Sequence, residues 1–190
     1  MAGLIYASIA SVDGYIADVD GRFDWAAPDE EMHVLVNDLM RSVDTHLFGR
    51  RMYEVLAAWE SDELVAGQPR YISDYATIWR SADKIVYSRT LAAPSTARTI
   101  VKREFDAEEV RALKTTRNLS ISGPELAGHA LKGGLVDELH IFQVPVVVGG
   151  GKRFLPDGLF TQLELMDQRR LGSGAVYMRY QIGTERKRFT

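Results

Sequence analysis

The sequence predicts an α/β domain with a mostly parallel sheet and an antiparallel pair of strands at its C-terminal edge. Three observations predict it. Short apolar, β-prone runs alternate with segments of helical periodicity from residue 3 to residue 148. Most of those runs lead straight into a helix, the order that parallel pairing requires. The last two strand-like segments, 162–171 and 174–182, flank Gly172-Ser173-Gly174, which signals a hairpin and so an antiparallel edge.

Residues 3–9 are apolar and β-prone and read as a buried strand. Asp13-Gly14 makes a turn, and Asp18 to Arg22 forms a polar loop ending at Phe23 and Trp25. Pro28 followed by Asp29, Glu30 and Glu31 starts a helix, because proline is tolerated in the first turn and acids suit the positive end of the helix dipole. Met32, Leu35, Val36, Leu39, Met40 and Val43 give that helix one apolar face. Thr45–Phe48 is the next strand, with the helix Arg50–Trp59 behind it. Residues 60–70 read as a connecting loop, Tyr71–Ser81 as a helix and Lys84–Tyr87 as a strand. Asp106 caps a further helix, with Glu109 placed for a capping box. Leu119–Ser122 is a strand, and Glu125–Lys132 a helix closed by Gly133-Gly134. Glu138–Val148 reads as one long strand with an edge or bulge at Pro145. No repeat or linker divides the chain, so 1–190 is expected to be a single domain.

The 190 residues are enough for one sizeable core. A net charge of −3 argues against general nucleic-acid binding, which needs a basic surface. Cysteine is absent, which removes disulfides, zinc–thiolate sites and cysteine nucleophiles. The histidines His33, His46, His129 and His140 show no metal-ligand spacing, so no bound metal is expected. The N-terminus enters a strand with no basic leader or small-residue cleavage site, and no apolar run is long enough to span a bilayer. A soluble, cytoplasmic protein without a membrane partner is expected. The basic tail Glu185-Arg186-Lys187-Arg188 reads as a solvated terminus.

Three separated segments carry the chemistry: Phe48-Gly49-Arg50-Arg51-Met52-Tyr53-Glu54, Val86-Tyr87-Ser88-Arg89 and Ile121-Ser122-Gly123-Pro124-Glu125-Leu126. Each runs from a short apolar, strand-like stretch into a polar turn that opens a helix, whose N-terminal amides and partial positive charge suit phosphate. Gly49 lets an anion approach the backbone, Arg50 and Arg51 supply charge, and Ser88-Arg89 suits a ribose 2′-phosphate. Each alone is equally a turn with surface arginines; together they fit an elongated anion such as NADPH. Gly123 and Gly128 have Walker A spacing, but His129 and Ala130 replace the lysine and hydroxyl residue, so an ATPase is not indicated. There is no G-x-G-x-x-G. Asp29, Glu30 and Glu31 could place one carboxylate in a pocket as a proton donor, although plain helix N-terminal acids are the simpler reading. Trp25 either lines a cofactor pocket or packs.

Read in order, these segments resemble the dihydrofolate reductase-like superfamily, and more closely the reductase domain of the bifunctional riboflavin-biosynthesis deaminase/reductase. Ser11-Val12-Asp13-Gly14-Tyr15-Ile16-Ala17 resembles the S-x-D-G-x-I-A opening of that domain, and Gly49-Arg50-Arg51-Met52-Tyr53-Glu54 its G-R-x-T-Y-E. Ser122-Gly123-Pro124-Glu125-Leu126-Ala127 is followed by Gly134-Leu135-Val136-Asp137-Glu138-Leu139, then Pro145 and Gly149–Gly151, in the family's order. The resemblance implies a three-layer α/β/α fold, a homodimer, and NADPH held by Gly49–Arg51, Ser88-Arg89 and Ser122–Leu126. It places Asp13, Gly14, Ile16 and Ala17 at the nicotinamide edge with Trp25 beyond them on a mobile loop, and implies a cis peptide at Ser122-Gly123. Met52 departs from the motif, since threonine is usual there. Spacing from Trp25 and Pro28 brings Glu30, with Asp29 adjacent, closest to the family's catalytic carboxylate. Its threonine partner corresponds to Phe142, and Ile121 stands where the riboflavin reductases carry glutamate. The reading is therefore a stand-alone NADPH-dependent reductase acting on a small pterin-, pyrimidine- or flavin-related molecule. The alternatives are a dihydrofolate reductase proper and a non-catalytic nucleotide- or ligand-binding protein.

Overall fold

A computed structural model describes residues 3–183, so the basic tail at 185–188 lies outside the described residues. The strands are β1 (Leu4–Ala10), β2 (Tyr15–Ala17), β3 (Thr45–Gly49), β4 (Asp83–Tyr87), β5 (Thr99–Lys102), β6 (Leu119–Ser122), β7 (Glu138–Gln143), β8 (Lys152–Arg153), β9 (Leu163–Arg170) and β10 (Val176–Ile182). The helices are α1 (Glu30–Met40), α2 (Arg50–Leu56), α3 (Asp62–Val65), α4 (Arg70–Ser81), α5 (Ala107–Leu113) and α6 (Pro124–Lys132). Eight strands form one sheet in the order β5-β4-β3-β6-β1-β7-β10-β9. Pairing is parallel from β5 through β7 and antiparallel at β7–β10 and β10–β9. None of the helices among the described residues is long and apolar enough to cross a membrane.

Alternation along β1 divides the core into two layers, because successive strand side chains point to opposite faces. Leu4, Tyr6 and Ala10 join the cluster that contains Val110 of α5 and Leu126, Ala127 and Ala130 of α6. Ile5, Ala7 and Ile9 pack instead toward Met32 and Met40 of α1 and Ile78 of α4. The sheet thus lies between α1 and α4 on one face and α5 and α6 on the other, the three-layer arrangement expected. The crossover from β1 through α1 to β3 and that from β6 through α6 to β7 leave neighbouring strands on opposite faces. Such a divergence opens a crevice at the strands' carboxyl ends.

The structure departs from the expectations where tertiary contacts outweigh local pattern. The long strand at 138–148 ends at Gln143. Pro145 has no N–H for the ladder, and Val146 N–H turns back to the Val144 carbonyl at 2.8 Å. The helix at 50–59 gives way after Leu56 to a 3-10 turn over Ala57–Glu60. Arg80 of α4 holds that turn, donating to the carbonyls of Trp59 at 2.9 Å and Glu60 at 3.1 Å. The 60–70 loop contains the short helix α3. Asp106 caps α5 through the amides of Glu108 and Glu109, but Glu109 pairs with Lys102 instead of closing a capping box. No helix follows the Ser88-Arg89 turn, because Ser88 Oγ takes up the Thr90 and Leu91 amides and the chain runs on to the edge strand β5. β5 and the short β2–β8 pair carry no clear local signal.

Asp13 ties the β1–β2 turn to the segment beyond Pro145. Its carboxylate accepts from Ser11 Oγ at 2.7 Å, Val148 N at 3.1 Å and Gly149 N at 2.7 Å. Further along, Gly151 has φ +126, and a Cβ there would lie 2.1 Å from the Ala17 carbonyl oxygen, so only glycine lets β8 approach β2. Gly151→Ala is expected to cost at least about 1–3 kcal/mol in chemical denaturation. The hydrogen bond from Ser11, helped by the Gly149 and Val148 amides, holds the Asp13 carboxyl at about 2, below the usual 3.8. Because the folded value is the lower one, this stabilisation is complete above pH 3.8 and vanishes as pH falls through about 2. Asp13→Asn should therefore lower Tm at pH 7, with the gap from wild type closing in scans toward pH 2; a pH-independent gap contradicts this role.

Candidate functional site

At the carboxyl ends of β3, β4 and β6 lies a cleft of about 1780 Å³. Pockets for a single small ligand run to roughly 300–1,000 Å³, so this one has room for a long ligand with a second molecule beside it. The cleft has two arms with different chemistry. One follows the strand ends and is rich in charge; the other passes between the sheet and the α1/α4 layer and is apolar.

The strand-end arm brings together three turns that are far apart in sequence: Gly49–Met52, Ser88–Thr90 and Ser122–Leu126. α6 begins at Gly123, whose φ is +95, and no side chain caps its first amides. The α2 start likewise has no side-chain cap. Both N-termini therefore present unpaired N–H groups and positive potential to the cleft. Arg50 is engaged, donating to Glu54 Oε1 and Thr90 Oγ1 at 2.7 Å each. Arg89 is highly exposed and sits 3.9 Å from Glu104, a loose pair. The side chains of Arg51 and Lys152 also line the arm and form no hydrogen bond or ion pair among the described residues. Ser88 is buried, and its hydroxyl oxygen accepts from Thr90 N at 3.2 Å and Leu91 N at 3.0 Å, so it shapes the turn that presents Arg89.

Ile16, Ala17, Gly49, Arg50, Arg51, Ser88, Arg89, Ser122, Gly123, Pro124, Glu125 and Leu126 all stand on the cleft wall. Other expected site residues do not. Asp13 and Gly14 lie behind the wall, where Asp13 holds the Val148–Gly149 backbone. Trp25 sits in a short 3-10 turn and packs on the cluster around Phe142 and Tyr177 instead of lining the cleft. Asp29 is used locally, accepting from Met32 N at 2.9 Å as the cap of α1, and exposed Glu30 is not on the wall. No peptide bond is cis among the described residues, so the cis bond expected at Ser122-Gly123 is not found; Gly123, with φ +95, leads the chain into α6 through a trans peptide.

Sequence reasoning missed four groups on the wall. Asp24 is the carboxylate of the 13–31 segment that reaches the cleft. Arg103 props the second turn by donating to the carbonyls of Ser88 at 3.0 Å and Leu91 at 2.8 Å. Phe105 stacks beside His129 of α6, with ring centroids 6.4 Å apart. Lys152 arrives through the β2–β8 pair. Isolated residues at these positions carry no motif; only the folded chain gathers them.

The second arm is walled by Met40 and Val36 of α1, Val55 and Leu56 of α2, Trp59, Leu64 and Tyr75, with Ala7, Ile9 and Phe48 on the sheet. Trp59 meets Tyr75 edge-on with centroids 4.8 Å apart. His46 at the floor bonds Ser120 Oγ through Nδ1 at 2.6 Å. Burial and nearby Lys84 push its pKa down to about 4, so the imidazole is neutral at pH 7. The uncapped helix starts, loose Arg89 and unpaired Arg51 are features a dinucleotide phosphate chain would satisfy, so the residues present fit NADPH.

Known proteins resemble this chain over most of its length. An uncharacterized protein, YyaP, of Bacillus subtilis (strain 168) is 28% identical over 174 residues, 90% of this chain and 89% of its own. A solved putative riboflavin biosynthesis protein from Shewanella sp. PV-4 superposes with a TM-score of 0.73 at 20% identity, covering 95% of this chain and 99% of that one. A pyrimidine reductase-like protein from Corynebacterium diphtheriae superposes with a TM-score of 0.72 at 16% identity, covering 97% and 93%. For the Thermotoga maritima diaminohydroxyphosphoribosylaminopyrimidine deaminase/5-amino-6-(5-phosphoribosylamino)uracil reductase the TM-score is 0.65 at 14% identity. That match covers 95% of this chain and 56% of the longer protein. These likenesses establish the fold, and the sequence match establishes the family. Over residues 2–177 the sequence fits the pattern of the RibD C-terminal domain, and the chain belongs to that family.

Proposed function

We propose that this protein is an NADPH-dependent reductase that acts on a C=N or C=O bond of a small pyrimidine-, pterin- or flavin-related molecule. One observation carries the reading: three turns from distant parts of the sequence, two of them uncapped helix starts, converge on one cleft beside free or loosely paired cations. Family membership and the pyrimidine reductase-like neighbour support it. NADPH, when bound, supplies the hydride. The chain's own part is to bind, orient and exclude water. Arg51 and Arg89 are assigned to phosphate, the α6 N-terminus to the pyrophosphate, and Ile16 and Ala17 to the nicotinamide edge. Proton delivery is assigned to Asp24, acting through water, in place of Glu30 and Asp29, which do not stand on the cleft wall. The proposal extends to a cytoplasmic protein whose partners are its small substrate and a second copy of itself, with neither nucleic acid nor membrane. The edge strand β9 supports self-association by exposing Leu163, Leu165 and Met166 beside a backbone edge that pairs with no further strand among the described residues.

Titration of intrinsic fluorescence should show micromolar NADPH binding with clear preference over NADH. Arg51→Ala and Arg89→Ala should each weaken NADPH about tenfold, or about 1.4 kcal/mol, with Arg89→Ala barely affecting NADH. Binding of neither nucleotide sinks the reading. Once a substrate is found, Asp24→Asn should cut turnover at least about 10²-fold at unchanged NADPH affinity, while Glu30→Gln should not. NADPH oxidation driven by dihydrofolate favours the dihydrofolate reductase alternative. Binding without turnover across a heterocycle panel favours the non-catalytic one. In sedimentation velocity the wild type should run as a dimer and Leu165→Glu as a monomer.

A further inference from the structure

We infer that the substrate's body is uncharged and aromatic, taken up whole by the apolar arm, with Trp59 and Leu64 as the residues that set this preference. The inference rests on the reductase reading only for what lies in the other arm. Three observations carry it. First, the arm opens from the strand-end cleft as one continuous cavity, so an occupant of one arm abuts an occupant of the other. Second, Met40, Val55, Leu56, Trp59, Leu64 and Tyr75 put no unpaired charge on its walls: the neighbouring Glu54 is neutralised by Arg50 at 2.7 Å, burial pushes the Tyr75 phenol up to about 12, and the His46 imidazole at the floor is neutral. Third, large apolar side chains stay exposed there: Val55 is 46% and Leu64 40% accessible. Exposed apolar surface concentrated in a concavity marks a ligand site.

The wall is also fixed in place. Arg80 donates to the Trp59 and Glu60 carbonyls and pairs with Asp62 at 2.8 Å, which pins the 57–62 turn to α4. Trp59 is thereby held edge-on to Tyr75, leaving a slot bounded by aromatic and aliphatic groups. Burying an ionised group in such a slot without a partner is strongly unfavourable. A planar, uncharged ring system loses only its apolar hydration and gains contact. The arm therefore discriminates against a phosphorylated or carboxylated body, whose charge finds cations only in the strand-end arm.

The test uses quinazoline, an uncharged bicyclic heteroaromatic, against quinazoline-2-carboxylate, in ligand-observed NMR titrations of the full chain with and without saturating NADPH. Wild type should bind quinazoline at least tenfold more tightly than the carboxylate. Leu64→Arg, at a half-exposed site where circular dichroism should show the fold intact, should reverse that order. Trp59→Ala should weaken quinazoline at least fivefold, and neither variant should alter NADPH affinity. A carboxylate that binds wild type as tightly as quinazoline overturns the inference, as does a Leu64→Arg variant with the wild-type order. If quinazoline behaves as expected but NADPH does not bind, the arm's selectivity stands and the reductase reading is what fails.

Discussion

The central strand β1 hydrogen-bonds in parallel to β6 on one side and to β7 on the other, with Ile5 opposite both Ser120 and Glu138. That double pairing is the constraint on which the other features depend. Parallel neighbours need long crossovers, and the two that leave β1 and β6 run to opposite faces of the sheet. The carboxyl ends of those strands are therefore uncovered, and the cleft is what remains between the diverging chains. Its floor is the same backbone whose alternating side chains build both core layers. Site and core thus share one scaffold, which makes the site's geometry as rigid as the sheet.

Around this scaffold, interactions that look local serve the cleft. Ser88 spends its hydroxyl oxygen on the Thr90 and Leu91 amides, and Arg103 clamps the carbonyls of the same turn, so the turn carrying Arg89 is held from both sides. Asp13 anchors the segment beyond Pro145, which positions Gly149–Gly151 and, through Gly151, the β2–β8 pair that brings Lys152 to the wall. Arg80 does the corresponding work for Trp59 in the apolar arm. Arg51 and Arg89 face the cleft with capacity to spare, whereas Ser88, Arg103, Asp13 and Arg80 are engaged in holding the backbone that shapes it. The latter are satisfied within the protein, while Arg51 and the helix N-termini are left with free capacity, as a binding site requires.

Much of this was legible from the chain alone. The apolar run at 3–9, the strand-to-helix order and the Gly172–Gly174 hairpin signal led to a mostly parallel sheet with an antiparallel edge, and the family resemblance added the three layers. The glycine-containing turns at 49 and 123 and the Ser88-Arg89 step stand on the cleft wall. The departures share a cause. Glu30 was reached by spacing from Trp25 and Pro28, and Trp25 by the family resemblance, but a shift of a few residues in a loop moves a side chain from the cleft to solvent or to packing. Asp29 was weighed for its charge, yet its nearest unmet donor is the Met32 amide, three residues away.

What the sequence determined by itself is whatever depends on neighbours along the chain: periodicity, helix starts, turn glycines and the absence of cysteine chemistry. A helix dipole or a turn needs only local residues, so it can be read locally. What only the tertiary structure decided is the set of groups that share a space. The apolar arm, the clamp on Trp59, the neutral state of His46 and the arrival of Asp24, Arg103 and Lys152 at one wall depend on elements tens of residues apart. Burial and charge pairing are properties of the assembled volume and not of any segment, so no local pattern records them.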